Sequence, residues 1–156
     1  MLDRIHVYDL DGVLVDTSHR YRNKPDGTID LPYWFAMRTA KNIAADKPLP
    51  LAKQYASDCK NPHIYTVICT SRAQDILDIR FIYDVLGAPN KLIMRPVGNM
   101  DSDGPLKRRA LQGLFNLRQF RNLPRRLWED NRKNIDALSD LFTDTFLIAS
   151  EICEND

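Results

Sequence analysis

Two aspartates two residues apart, Asp9 and Asp11, close the apolar run Ile5-His6-Val7-Tyr8, and Gly12 follows at once. In an extended segment, side chains at i and i+2 share a face, so both carboxylates start out pointing the same way. Gly12 permits a tight turn, which leaves the pair at the carboxyl end of a strand, where open α/β sheets place their sites. Carboxylates held that close repel unless a cation neutralises them or one keeps a proton. A Mg²⁺ site with a carboxylate nucleophile beside a general acid is the chemistry this spacing offers. Two solvated aspartates at a strand end are the plainer alternative, and an isolated Asp-x-Asp-Gly fits it as well.

Three further segments carry polar groups at comparable places. Ile68-Cys69-Thr70-Ser71-Arg72 ends an apolar run in hydroxyls and a forked guanidinium suited to phosphate oxygens. With a helix expected from Ala73, the N–H groups of its first turn would add to that anion site. A simple Thr/Ser helix cap is the competing reading. Asp101-Ser102-Asp103-Gly104-Pro105-Leu106-Lys107 puts a lysine in the first turn of a helix, where the dipole disfavours a cation. Lys107 is therefore expected to face a carboxylate or phosphate. Leu127-Trp128-Glu129-Asp130-Asn131 places an acidic pair at another strand end, a source of the extra hard oxygen ligand Mg²⁺ requires. Asn131 fits a helix N-cap.

The elements that must position these groups alternate. Apolar runs at Ile5–Tyr8, Ile64–Cys69, Leu92–Met94, Arg126–Trp128 and Thr145–Ile148 read as strands, several apolar throughout, as strands buried on both faces are. Helical spacing appears at Ala73–Leu86, with Gly87 as its stop, at Pro105–Leu117 and at Asn131–Phe142. This pattern predicts an α/β, Rossmann-like open parallel sheet with helices on both faces. Residues 17–62 interrupt it with Pro25, Gly27, Pro32, Pro48, Pro50 and Pro62. They are expected to form a small insertion after the first strand within a single domain of residues 1–156, with one helix near Pro32–Ala45 and another from Pro50 to Cys59. Tyr33, Trp34 and Phe35 in it could stack on a base, although packing onto the core is the commoner task for two of the three.

At 156 residues the chain suits one core rather than two. Cys59, Cys69 and Cys153 lack metal or disulfide spacing, and no apolar stretch approaches bilayer length, so a cytoplasmic protein away from membranes is expected. Lys107 to Arg126 holds seven basic residues and no acid, whereas every charge after Lys133 is acidic. That asymmetry suits a polyanionic substrate near one face; a solvated basic helix is the simpler explanation.

The four motifs, in this order on alternating strands, resemble the haloacid dehalogenase-like phosphohydrolase superfamily over essentially the whole chain. The resemblance implies that Asp9 is the nucleophile, forming an aspartyl-phosphate, and that Asp11 protonates the leaving oxygen and then activates water. It implies further that Thr70 and Lys107 hold the phosphoryl group, and that Asp130 completes a Mg²⁺ shell with the Asp9 carboxylate and the Asp11 backbone carbonyl. Asp16-Thr17-Ser18-His19-Arg20, Thr70-Ser71-Arg72 and Leu92-Ile93-Met94-Arg95-Pro96, with Asp103 four residues before Lys107, are similar to the phosphatase domain of phage-type polynucleotide kinase-phosphatases. By that similarity Arg20 and Arg72 would bind phosphate and Asp103 would steer Lys107. Two departures stand out. No Gly-x4-Gly-Lys-Ser/Thr loop supports a 5′-kinase, and Glu129 replaces the first acid of the usual Asp-Asp-Arg, which leaves its supporting role open. The expected substrate is a nucleic-acid 3′-phosphate end or a nucleotide, with no protein partner implied. A 5′-nucleotidase or other small-metabolite phosphatase is the alternative, and a catalytically silent nucleic-acid-end binding module the alternative of another class.

Overall fold

The computed structural model describes residues 1–149; Cys153 and the acidic residues Glu151, Glu154 and Asp156 lie outside them. Five parallel strands form the sheet: β1 (Arg4–Tyr8), β4 (Ile64–Ala73), β5 (Lys91–Arg95), β6 (Arg125–Glu129) and β7 (Asp144–Leu147), in the order β5-β4-β1-β6-β7. A two-stranded ribbon, β2 (Val15–Asp16) against β3 (Lys47–Pro48), is separate. The chain leaves β1 for β4 and β5 on one side, then returns to β6 and β7 on the other. The crevice where the order reverses lies at the carboxyl ends of β1, β4 and β6.

Alternation along β1 explains why both sheet faces are covered. Ile5 and Val7 enter a core layer with Val67, Leu127, Leu111, Leu114 and Leu138, contributed in part by α5 (Asp103–Phe115) and α6 (Arg132–Leu138). Tyr8 points the other way, into a layer with Ile68, Trp128, Tyr55 and Ile82, served by α3 (Leu51–Lys60) and α4 (Ile76–Phe81). The expected fold class and its five strands are therefore present. No helix among the described residues is long and apolar enough to cross a membrane.

Two local expectations need correction. β4 does not stop at Cys69 but continues through Thr70, Ser71 and Arg72 to Ala73, with an irregular register against β5. Gln74 N–H still bonds Arg95 O at 3.0 Å, so sheet pairing holds these residues extended. The helix expected from Ala73 starts at Ile76, after Asp75 caps it by accepting from Leu77 N–H at 2.8 Å. No helix terminus therefore follows Thr70 to supply an anion site. It ends in a π-type turn, Ile82–Leu86, stopped by Gly87 at φ +124°.

Between β1 and α3, the single expected helix is two short ones, α1 (Leu31–Ala36) and α2 (Ala40–Ala44). The break falls where Thr39 leaves helical geometry and its hydroxyl accepts from Asn42 N–H. The β2–β3 ribbon closes this segment at its base, and α3, with Tyr55 fully buried, packs into the sheet's core layer.

Candidate active site

The carboxyl ends of the central strands bring together residues that are far apart in sequence. A cleft of about 160 Å³ opens there, lined by Asp9 and Asp11 after β1, Thr70 and Ser71 on β4, and Asp103 and Lys107 on α5. Glu129 at the end of β6 and Asp130 after it, with Asn131 and Asn134 at the start of α6, complete it. A roomier groove of about 430 Å³ between β5 and α5, lined in part by Ile93, Met94, Gly113, Leu114 and Leu117, lacks such a cluster.

Lys107 is the electrostatic centre of the cleft. Its Nζ donates to Asp9 Oδ1 and to Glu129 Oε2, each at 2.9 Å, and all three side chains are buried. Burial works against the ammonium, but Asp9 and Glu129 outweigh it and hold Lys107 charged far above the ordinary lysine range. Burial likewise opposes ionisation of Glu129, yet Lys107 pulls it below its ordinary value. Glu129, not Asp103, therefore fixes the lysine. Asp103 bonds Arg95 at 2.9 Å instead, and Arg95 also donates to the carbonyls of Ser71 and Asp101.

Negative charge is in excess around that lysine. Carboxylate oxygens of Asp9, Glu129 and Asp130 all lie within 4.8 Å of one another. Burial, together with Glu129, Asp130 and Asp11, raises Asp9 well above the usual carboxylate range despite Lys107. Burial also pushes Asp130 up to about 6. Three acids against one ammonium form a donor set that fits a hard divalent cation. Gly12 makes the approach possible. Its φ is +78°, and an added Cβ would run into the Asp130 carboxylate, with Cγ only 2.9 Å away. Gly12→Ala is expected to cut phosphate release at least about 100-fold, since displacement of a positioned group by about 1 Å has that effect. Rates within threefold of wild type in a phosphate-release assay would show that the close approach is dispensable.

Asp11 also lines the cleft, but its carboxylate is engaged by different partners. Arg72 grips both its oxygens, Nε to Oδ2 at 2.9 Å and Nη2 to Oδ1 at 2.6 Å, and the Thr17 hydroxyl adds a bond at 3.3 Å. Burial opposes ionisation of Asp11, but the guanidinium prevails and holds it below the ordinary carboxylate range. Behind Asp11 lies a buried ion cluster that sequence reasoning missed. Arg72 Nη1 bonds Asp78 at 2.7 Å, and Arg20 bonds Asp46 through Nε and Nη2, both at 2.8 Å. Arg20 and Arg72, the expected phosphate ligands, have these carboxylates as partners here, and neither lines the cleft. No local signal marks Asp46 or Asp78, because their partners come from other elements. Thr70 Oγ1 accepts from Arg72 N–H at 3.2 Å, which leaves its own proton to donate. The Ser71 hydroxyl is buried without a partner.

The basic run expected to attract a polyanion does not face the cleft. Only Lys107 does. Arg108 is paired with Asp140 at 2.6 Å, Arg109 with Asp101 at 3.3 Å and Arg126 with Asp144 at 3.6 Å. Arg125 is spent on backbone carbonyls, including those of Phe120 and Arg121. Arg118 and Arg121 follow the far end of α5, about 20 Å from its start at 1.5 Å per residue.

A parallel sheet with two aspartates after its central strand, and with a lysine and an acidic pair converging on them from two other elements, defines a haloacid dehalogenase-like phosphohydrolase. Comparisons narrow the class. The family model described as bacteriophage T5 5′-deoxynucleotidase matches residues 1–85. The chain belongs to that family. No curated protein matches the sequence. Among solved structures, one chain of a Pnkp1/Rnl/Hen1 complex is similar over 94% of this chain, at 18% identity and a TM-score of 0.63; this chain spans 46% of its length. The HAD domain of effector protein Lem4 from Legionella pneumophila is 16% identical over 98% of this chain and 91% of that one, with a TM-score of 0.58. A HAD-superfamily hydrolase from Geobacter sulfurreducens is 11% identical, covering 97% and 98% of the two chains, with a TM-score of 0.56. At these identities the structures speak for the fold, and the family match speaks for the phosphatase class.

Proposed function

We propose that the protein removes the 5′-phosphate from deoxynucleoside monophosphates, with Mg²⁺, through an aspartyl-phosphate on Asp9. The observation that carries this reading is the convergence of Asp9, Lys107, Glu129 and Asp130 on one cleft, in a chain of the T5 5′-deoxynucleotidase family. Asp9 attacks phosphorus as the bond to O5′ breaks, and Asp11 delivers a proton to that oxygen. Water then attacks the aspartyl-phosphate, its proton passes to Asp11, and Asp9 is restored as inorganic phosphate leaves. Asp11 stands ionised in the free protein; an arriving phosphate dianion raises its proton affinity by like-charge repulsion, and it takes up from solvent the proton that it then delivers. Lys107 and the Thr70 and Ser71 hydroxyls meet phosphoryl oxygens as charge develops. Asp9, Asp130 and the Asp11 backbone carbonyl would hold Mg²⁺, which supplies a counter-charge for the phosphoryl group.

A second reading, removal of a 3′-phosphate from a nucleic-acid end, draws on the motif similarity and on the likeness to the Pnkp1 complex chain. The position of the basic run favours the mononucleotide, because of its residues only Lys107 lines the cleft. A silent binding module would not require nucleophile, acid and lysine to converge. The deciding assay is Mg²⁺-dependent phosphate release from a deoxynucleoside 5′-monophosphate, its 3′-isomer and a 3′-phosphorylated oligonucleotide. The 5′-mononucleotide is expected to be the best substrate, with activity lost in EDTA and restored by added Mg²⁺. A preference for the oligonucleotide would establish the second reading, and undiminished turnover in EDTA would refute the metal.

A further inference from the structure

Asp11 is tied to the segment between β1 and α3 by a continuous chain of contacts. Arg72 spans it, holding Asp11 with two donors and Asp78 with a third, and approaching Asp46 at 3.5 Å. Asp46, just before β3, is held in turn by the fully buried Arg20. Trp34 of α1 covers both cations: its ring centre lies 4.4 Å from the Arg20 guanidinium carbon and 5.6 Å from that of Arg72. The helix that carries Trp34 is itself fastened. Asp30 caps it through Tyr33 N–H at 3.1 Å, and Arg22 bonds Asp30 at 2.9 Å while stacking on Tyr33 at 4.1 Å.

We propose that Trp34 is a positioning residue for Asp11, acting through the two guanidinium groups, so that this segment orients the proton donor. An indole over two guanidiniums excludes water from the cluster and strengthens the pairs within it. Without that cover Arg72 gains solvent and rotamer freedom, and Asp11, whose side chain is 36% exposed, loses its fixed direction. Proton delivery to O5′ depends on hydrogen-bond geometry, so the proton-transfer step suffers while phosphoryl attack on Asp9 does not. With its ring committed to the cations, Trp34 is not the base-stacking platform its sequence position suggests.

This inference rests on the reading of Asp11 as general acid, and leaving-group dependence separates the two. The assay follows leaving-group release in the first turnover, before water attacks the aspartyl-phosphate, and compares a deoxynucleoside 5′-monophosphate, whose alkoxide needs a proton, with p-nitrophenyl phosphate, whose aryloxide departs without one. Trp34→Leu is expected to lower that first-turnover rate on the nucleotide about 10- to 100-fold, and on the aryl ester less than about threefold, with KM nearly unchanged. Trp34→Phe, which keeps an aromatic face, should recover most of the loss. Equal losses on both esters would reduce Trp34 to a structural role, and a raised KM with unchanged kcat would make it a base contact; either result overturns the proposal. Asp11→Asn serves as the reference. If it spares the aryl ester while Trp34→Leu does not, the linkage alone is wrong. If Asp11→Asn slows the first turnover of both esters equally, before water attacks the aspartyl-phosphate, Asp11 is not the acid, and the proposal falls with that assignment.

Discussion

Asp9→Asn is expected to leave a folded protein whose phosphate release is lower by at least about 10³-fold, the scale of losing a nucleophile outright. The amide keeps the shape of the side chain and can still accept from Lys107, whose second partner Glu129 remains. Removing one of three crowded carboxylates also relieves repulsion, so a urea midpoint within about 0.5 M of wild type should accompany the loss. Activity near the wild-type rate would move the nucleophile elsewhere. A collapsed midpoint would mean that the Asp9–Lys107 pair serves the fold before it serves chemistry.

The second large effect is on stability and lies behind the cleft. Asp46 is fully buried and is the carboxylate that bonds Arg20 through two donors. With Asp46→Leu, Arg20 keeps one carboxylate among the described residues, Asp78 at 4.0 Å. A buried ion pair broken on one side costs about 3–5 kcal/mol, because the remaining charge stays desolvated. For a chain of this size that corresponds to a fall in Tm of roughly 6–20 °C. The paired replacement Arg20→Met with Asp46→Leu should recover a large part of the loss, since it removes both charges together. A single-variant cost below about 1 kcal/mol would show that water reaches the cluster and that its charges are not truly buried.

These two expectations draw on different kinds of legibility. Asp9 and Asp11 were visible because a strand of period two puts i and i+2 on one face and Gly12 turns the chain behind them. Lys107 was visible because a cation near a helix start conflicts with the dipole and so points to an acidic neighbour. That neighbour proved to include Glu129, 22 residues further on. The helix placed at Ala73 began at Ile76 because β4 keeps pairing with β5, and cross-strand hydrogen bonds override local helical spacing. For Arg20 and Arg72 residue type alone does not choose a partner, because a guanidinium suits a phosphate and a carboxylate equally. Asp46 and Asp78 claimed them from other elements.

Residue types and spacing along single elements therefore determined the sheet, its five strands, and the aspartates, hydroxyls, lysine and acidic pair gathered at their ends. Those properties follow from periodicities of 2 and 3.6 and from the conformational reach of glycine, which are local. Tertiary structure decided which acid holds which base: Glu129 rather than Asp103 on Lys107, Asp46 on Arg20, Asp11 and Asp78 on Arg72, and most of the basic run paired away from the cleft. Electrostatic partnership depends on distance in space and on burial, and both are set by strand order β5-β4-β1-β6-β7 rather than by neighbours in the chain.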